Sequence, residues 1–251
     1  MSSVGSWAWA QRTGGRLSRR DSAELVRQGI LARLAGLPAR WRVGLVNDAR
    51  SLTLPAAPDT ELAREAEDLT RELSSPILYG HCLRTWAFAT LFADRDHVEH
   101  DEELLYVACV LHDIGLTDRH NGRDASAACF AVEGARAAHG LVTRRGEPES
   151  RAHTVAEAIS LHLNVNVDDR FGPVATLLSK GVMLDVVGRR IEQIPRASVL
   201  EVTRRWPREG SGELLVADTA RQAELRPHSR AALMHRVGFT KLVSANPIDR
   251  L

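Results

Sequence analysis

The sequence contains few cysteines: Cys82, Cys109 and Cys129 are the three among 251 residues. A small, odd number in apolar surroundings does not suit the disulfide framework that stabilises small secreted proteins. No apolar run approaches the roughly 20 residues that a membrane-spanning helix needs, and the arginine-rich N-terminus lacks the apolar segment of a signal peptide. We therefore expect a cytoplasmic protein with reduced thiols and no membrane partner.

An excess of charge of one sign is also lacking, since Lys plus Arg number 33 and Asp plus Glu number 32. The whole chain therefore has no net field that would attract nucleic acid or an anionic membrane surface. The hydrophobic fraction of 44% and the charged fraction of 26% are ordinary for a soluble globular protein. We expect a small-molecule substrate and no nucleic-acid partner; a homo-oligomer is compatible with this composition.

Strand signals are nearly absent, because no segment sustains an alternation of apolar and polar residues. Helical periodicities recur instead, and they predict a single all-α domain. We expect a flexible arm over residues 1–20 and an N-terminal helix with a connector over 21–58. A helical bundle over 59–190 would follow, with a C-terminal helical extension over 191–251 packed on it.

Three predicted helices carry polar residues on their apolar faces. The dipeptide Ser75-Pro76 predicts a helix start, and His81 then shares a face with two phenylalanines. Asp101 is placed to cap the next helix, which ends at His112-Asp113. Farther along, Asp185 lies on the side of a helical segment that also carries leucine and glycine. We expect these polar groups to lie close together inside the protein.

The apolar stretch VACVLHDIGLTD, residues 107–118, ends at an imidazole and a carboxylate. The unpaired carbonyls at a helix end favour a cation there. With His81 and Asp185, the pair His112-Asp113 would supply nitrogen and oxygen ligands suited to Zn²⁺, Fe²⁺ or Mn²⁺. We predict one divalent ion per chain, with Zn²⁺ favoured. Such an ion lowers the pKa of a bound water from 15.7 to about 7.

Each of these residues has a structural explanation when it is taken alone. His81 on an apolar face could be a hydrogen-bonded core residue, and Asp185 could cap a helix or form a salt bridge. An adjacent His-Asp pair is common by chance. The metal site is favoured because three separate helices each bring a ligand type on an apolar face.

Five segments carry a family resemblance, namely GHCLRTWAFA (80–89), VLHDIGLTD (110–118), FAVEGARAA (130–138), AEAISLH (156–162) and LDVVG (184–188). Through them the chain resembles the HD superfamily of metal-dependent hydrolases, and within it the cyanamide-hydratase-like branch. The resemblance covers roughly residues 60–190, and the tail PHSRAALMHRVGF also resembles the C-terminal extension of such proteins. It implies a single HD-domain helical bundle whose metal is held by His81, His112, Asp113 and Asp185.

The resemblance also implies limits on the site. Many superfamily members hold a second metal through two further histidines, and one of these is missing from the segment around Glu133, whereas His162 could match the other. A mononuclear centre is therefore expected, in which Asp113 takes part in activating the water. His162 or Glu133 would move the proton; alternatively, His162 is a buried structural residue and Glu133 a solvated helix residue.

Three functions are compatible with this pattern. The first is hydration or hydrolysis of a small polar molecule such as a nitrile or cyanamide by a metal-activated water. The second is a phosphohydrolase acting on a nucleotide or phosphate ester, which usually needs several cations. Arg84 is one candidate cation, although a structural pairing with Asp118 is favoured for it. The third is a non-catalytic ligand-binding module.

Overall fold

A computed structural model describes residues 3–40, 54, 56–120 and 126–251. These ranges are helical and contain no strand, which confirms the all-α class predicted from the sequence. Most of the predicted connector over 42–58 lies outside the described residues. The α-helices in the described ranges are α1 Trp7–Thr13, α2 Arg19–Arg40, α3 Glu61–Leu73, α4 Pro76–Asp96, α5 Glu102–Leu111, α6 Phe130–Arg144, α7 Glu149–Leu161, α8 Pro173–Val187, α9 Arg196–Arg205, α10 Ser211–Leu225, α11 Arg230–Arg236 and α12 Phe239–Val243.

Side-chain caps set the starts of the two helices that lead to the candidate site. The Ser75 hydroxyl accepts a hydrogen bond from the Leu78 N–H, and Pro76 occupies the first turn of α4. The Asp101 carboxylate accepts one from the Leu104 N–H at the start of α5. Both predicted helix starts are confirmed.

Helix α4 lies at the centre of the fold and packs against α5, α8, α9 and α10. Its crossing with α8 is a backbone contact, because a Cβ atom added at Gly181 would lie 2.2 Å from the Thr85 carbonyl oxygen. Glycine is thus required at that point of α8. The close crossing brings Asp185, one turn later on α8, against His81 on α4.

The N-terminal arm differs from the flexible segment that the sequence predicted. Residues 7–13 form α1, in which Trp7 and Trp9 are buried. The Trp7 N–H donates to Glu157 of α7 (2.6 Å), and the Arg230 guanidinium lies over the Trp9 ring, 5.4 Å from its centroid. The arm is ordered because its tryptophans pack on residues that lie 150 or more positions away.

The C-terminal extension lies on the same core. Helices α9 and α10 contact α4, and α12 contacts α8 and α10. The extension also meets the N-terminal arm, since the Leu17 N–H donates to the His228 carbonyl (2.9 Å). None of the helices in the described ranges has the length and apolar character needed to cross a membrane.

Candidate metal centre

Three buried side chains converge at the end of α5. The Nε2 atoms of His81 and His112 are 3.1 Å apart, and Asp113 Oδ2 lies 3.4 Å from the first and 3.3 Å from the second. Four ligands placed tetrahedrally at 2.0–2.1 Å from a zinc ion are about 3.3 Å apart. The spacing of these three donor atoms therefore fits one small divalent ion.

Hydrogen bonds on the far sides of the rings fix how the two imidazoles face the cluster. His112 Nδ1 lies 2.7 Å from the Cys109 carbonyl, and His81 Nδ1 lies 2.6 Å from Asp185 Oδ2. A carbonyl and a carboxylate oxygen only accept, so each Nδ1 is assigned the proton. In the neutral rings both Nε2 lone pairs then point at each other and at Asp113. A cation between them satisfies all three.

The electrostatics of the cluster favour a positive charge in it. Burial opposes protonation of His112, but the Asp113 carboxylate outweighs burial and raises the pKa of His112 to about 10. Burial would also raise the pKa of Asp113, yet the His112 charge holds it well below its usual range. A proton on His112 thus balances Asp113 when no metal is bound, and a divalent ion takes over that role by displacing it.

His162 brings a third imidazole to the same carboxylate. Its Nδ1 donates to the Ile159 carbonyl (2.7 Å), which leaves the Nε2 lone pair directed 3.4 Å from Asp113 Oδ1. That buried Nε2 has no hydrogen-bond partner. Burial lowers the pKa of His162, which keeps the ring neutral. A buried unpartnered acceptor is costly and suits a group that receives a proton or a ligand atom.

The Asp185 carboxylate contacts the His81 ring at Nδ1, whereas the cluster is formed around Nε2. The carboxylate also accepts hydrogen bonds from Arg84 Nε (2.8 Å) and from Arg208. It therefore lies outside the group formed by His81, His112 and Asp113, in the position of a carboxylate that orients a metal-binding histidine. Its predicted ligand role stays a prediction. The pairing expected between Arg84 and Asp118 is wrong, because the crossing of α4 and α8 brings Asp185 to this guanidinium first.

Glu133 lies in the first turn of α6 and is buried. Its carboxylate is bonded to Arg226, at the end of α10. The expectation of a solvated helix residue is therefore wrong, because the C-terminal extension covers this turn. The ion pair occupies the carboxylate, and the predicted role of Glu133 in moving a proton stays a prediction.

Sequence reasoning missed several groups that the C-terminal extension brings to the site. Arg208 donates to Asp185, and Asn246 donates to the Asp185 carbonyl (2.8 Å). Burial and the nearby Asp113 charge raise the pKa of Asp218, on α10, although Arg221 opposes this. No motif or periodicity marks these residues, since they lie 23 to 105 positions away from their partners.

Comparison with known proteins places this geometry in a family. Residues 78–209, about half of the chain, match the HD domain. The chain is also 29% identical over 171 residues to the cyanamide hydratases DDI2 and DDI3 of Saccharomyces cerevisiae, which covers 66% of this chain and 74% of each relative. These similarities confirm the resemblance to the cyanamide-hydratase-like branch. The chain belongs to the HD domain family, and it is a metal-dependent hydratase or hydrolase.

Proposed function

We propose that this protein is a metal-dependent hydratase that adds water to a small, neutral nitrile-like group such as that of cyanamide. The observation that carries the proposal is the convergence of two imidazole lone pairs and one carboxylate within 3.1–3.4 Å of one another. The names of the two yeast relatives support the substrate class.

His81, His112 and Asp113 would hold one divalent ion, for which Zn²⁺ is favoured over Fe²⁺ or Mn²⁺. When bound, this ion supplies Lewis-acid activation of a water molecule. Asp185 holds the His81 ring so that Nε2 faces the cluster. The Cys109 carbonyl does the same for His112.

His162 is the proton carrier in this proposal. The water oxygen forms a bond to the nitrile carbon while one water proton passes to His162 Nε2, the buried acceptor beside Asp113. His162 then donates that proton to the nitrile nitrogen, which leaves the ring neutral again. For cyanamide the resulting isourea rearranges to urea, so no oxidant, reductant or leaving group is required.

The ion pairs around the site favour this neutral substrate over a phosphate ester. Stabilising a transferring phosphoryl group takes several cations directed at its oxygens. Arg84 and Arg208 both donate to Asp185, and Arg226 is bonded to Glu133. These guanidinium groups already neutralise carboxylates of the protein, which argues against the phosphohydrolase.

The direct test measures metal and turnover on the same sample. We expect about one zinc per chain and formation of urea from cyanamide, lost when the metal is removed by a chelator and restored by Zn²⁺. A generic aryl phosphate should not be hydrolysed. Phosphate release in place of urea would overturn the hydratase proposal in favour of the phosphohydrolase, and a protein that binds no divalent ion would overturn both.

The His162→Gln variant separates proton transfer from metal binding. We expect it to retain its zinc while turnover of cyanamide falls about 100-fold, a usual effect of losing a general base. His153→Gln is the matched control, since His153 is exposed on α7, the helix that His162 directly follows. Zinc content and steady-state rates of the three proteins measure the effect. An unchanged rate in His162→Gln would remove this residue from the mechanism.

A further inference from the structure

Asp185 is held from two directions by parts of the chain that are far apart in sequence. Arg84, on α4, donates to both carboxylate oxygens of Asp185 (2.8 and 3.1 Å). Arg208, which follows α9, donates to Asp185 as well, to the carboxylate and to the backbone carbonyl. Asp185 and Arg84 have no exposed side-chain surface, so this ion pair is fully internal.

The backbone carbonyl of Asp185 needs partners because it lies in the last turn of α8. The Arg189 N–H, which would continue the helical pattern, instead donates to the Met183 carbonyl (3.0 Å). A side chain of the C-terminal extension takes the place of this N–H: the buried Asn246 donates to the Asp185 carbonyl (2.8 Å). The same side chain accepts from the Ile248 N–H (3.0 Å), which fixes the turn at residues 247–250.

Asp249 completes this group of residues. Its carboxylate accepts a hydrogen bond from Arg208 Nε (2.9 Å), which leaves the opposite edge of the guanidinium for Asp185. The turn is also pressed against the end of α8, because a Cβ added at Gly188 would lie 2.3 Å from Pro247 Cδ. Residues 246 and 249 lie beyond the segment that matches the HD domain, which ends at 209.

We propose that Arg208, Asn246 and Asp249 form a C-terminal clamp that positions Asp185 and thereby sets the affinity of the metal centre. The inference rests on the proposed metal-binding function of His81. Asp185 accepts the Nδ1 proton of His81, and a carboxylate in that position raises the basicity of the imidazole and fixes its orientation. Clamp residues touch no substrate; they are positioning residues that act through Asp185.

Affinity for Zn²⁺, measured by competition with a chromophoric chelator on metal-free protein, tests the clamp. We expect Arg208→Gln to lower this affinity about 10-fold, the low end of the usual cost of losing an outer-shell partner, because Arg208 acts through Asp185. Arg196→Gln is the matched control: its guanidinium bonds the carbonyl of Leu251 (2.9 Å) in the same tail and is not a partner of Asp185. That variant should bind Zn²⁺ as the wild type does.

A second variant and a second measurement guard against a mere loss of folding. Asp249 is about half exposed, so Asp249→Asn should fold and lower the affinity about threefold, as expected for a partly exposed ion pair. Visible absorption of the Co²⁺-loaded proteins should also change in the clamp variants, because the ligand field at His81 changes, but not in Arg196→Gln.

The possible results distinguish a failure of the clamp from a failure of the proposed function. Clamp variants that are folded by thermal unfolding and bind Zn²⁺ like the wild type would overturn the clamp alone. An equal loss in Arg196→Gln would also overturn it, since loosening of the tail would then explain the effect. A wild-type protein that binds neither Zn²⁺ nor Co²⁺ would overturn the proposed function itself.

Discussion

The Asp113→Ala variant should lose its metal and its activity together. Asp113 is the carboxylate of the cluster, and its Oδ2 lies within 3.4 Å of both Nε2 donors. Without it, two neutral imidazoles would have to hold a divalent ion in a buried site with no compensating charge, which is strongly unfavourable. We expect a zinc content near zero and a fall in kcat/KM of about a thousandfold or more.

Metal analysis, steady-state rates and thermal unfolding with and without Zn²⁺ measure this effect. Added Zn²⁺ should raise the Tm of the wild type, because a ligand that binds the folded state stabilises it, and should leave Asp113→Ala unchanged. Asp118→Ala is the matched control, since Asp118 lies in the same motif with an exposed side chain. Zinc retained at one per chain in Asp113→Ala would show that the metal lies elsewhere.

The second large effect is expected from a single methyl group at the crossing of α4 and α8. In Gly181→Ala the new Cβ would lie 2.2 Å from the Thr85 carbonyl and 3.1 Å from the Ala89 nitrogen. Both are backbone atoms, so the helices must separate. We expect the free energy of unfolding to fall by about 2–3 kcal/mol, as for an overpacked core, and the Tm by about 5–10 °C.

Zinc affinity should fall in the same variant, because Asp185 lies only four residues farther along α8. Gly29→Ala is the control: a Cβ added there meets no atom within 4 Å. Since alanine is the better helix former, Gly29→Ala should stabilise the protein by up to about 1 kcal/mol. Denaturant unfolding of the variants measures both effects. A Gly181→Ala protein as stable as the wild type would mean that α4 and α8 cross less closely than described.

The residues of the cluster could be predicted from sequence because local rules place them. Helical periodicity puts His81 on the buried face of α4, and the caps at Ser75 and Asp101 fix where α4 and α5 begin. The ligand set predicted from the sequence included Asp185. It could not specify that the Asp185 carboxylate would contact the Nδ1 atom of His81. That choice depends on how closely α4 and α8 cross and on what the rest of the chain donates to Asp185.

Contacts between residues that are distant in the chain could not be predicted from the sequence for a related reason. A lone arginine such as Arg208 has no pattern that separates a buried clamp from a solvated side chain. Trp7 and Trp9 likewise gave no helical periodicity, and the surface that orders them is built from α7 and Arg230. Long-range contacts of this kind depend on the assembled fold and not on local propensity.

The contact between Trp9 and Arg230 can form only after both residues have been synthesised, which constrains the order of folding during protein synthesis. A ribosome adds about 5–20 residues per second, so about 10–45 s separate the synthesis of these two residues. Until then the first helix can form its contacts with α6 and α7, such as the bond of Trp7 to Glu157 and its stacking on His139. The Trp9 ring still lacks the guanidinium that lies over it in the folded protein. Trp9 is therefore synthesised long before its last partner, and during that interval one side of its ring can make unwanted apolar contacts.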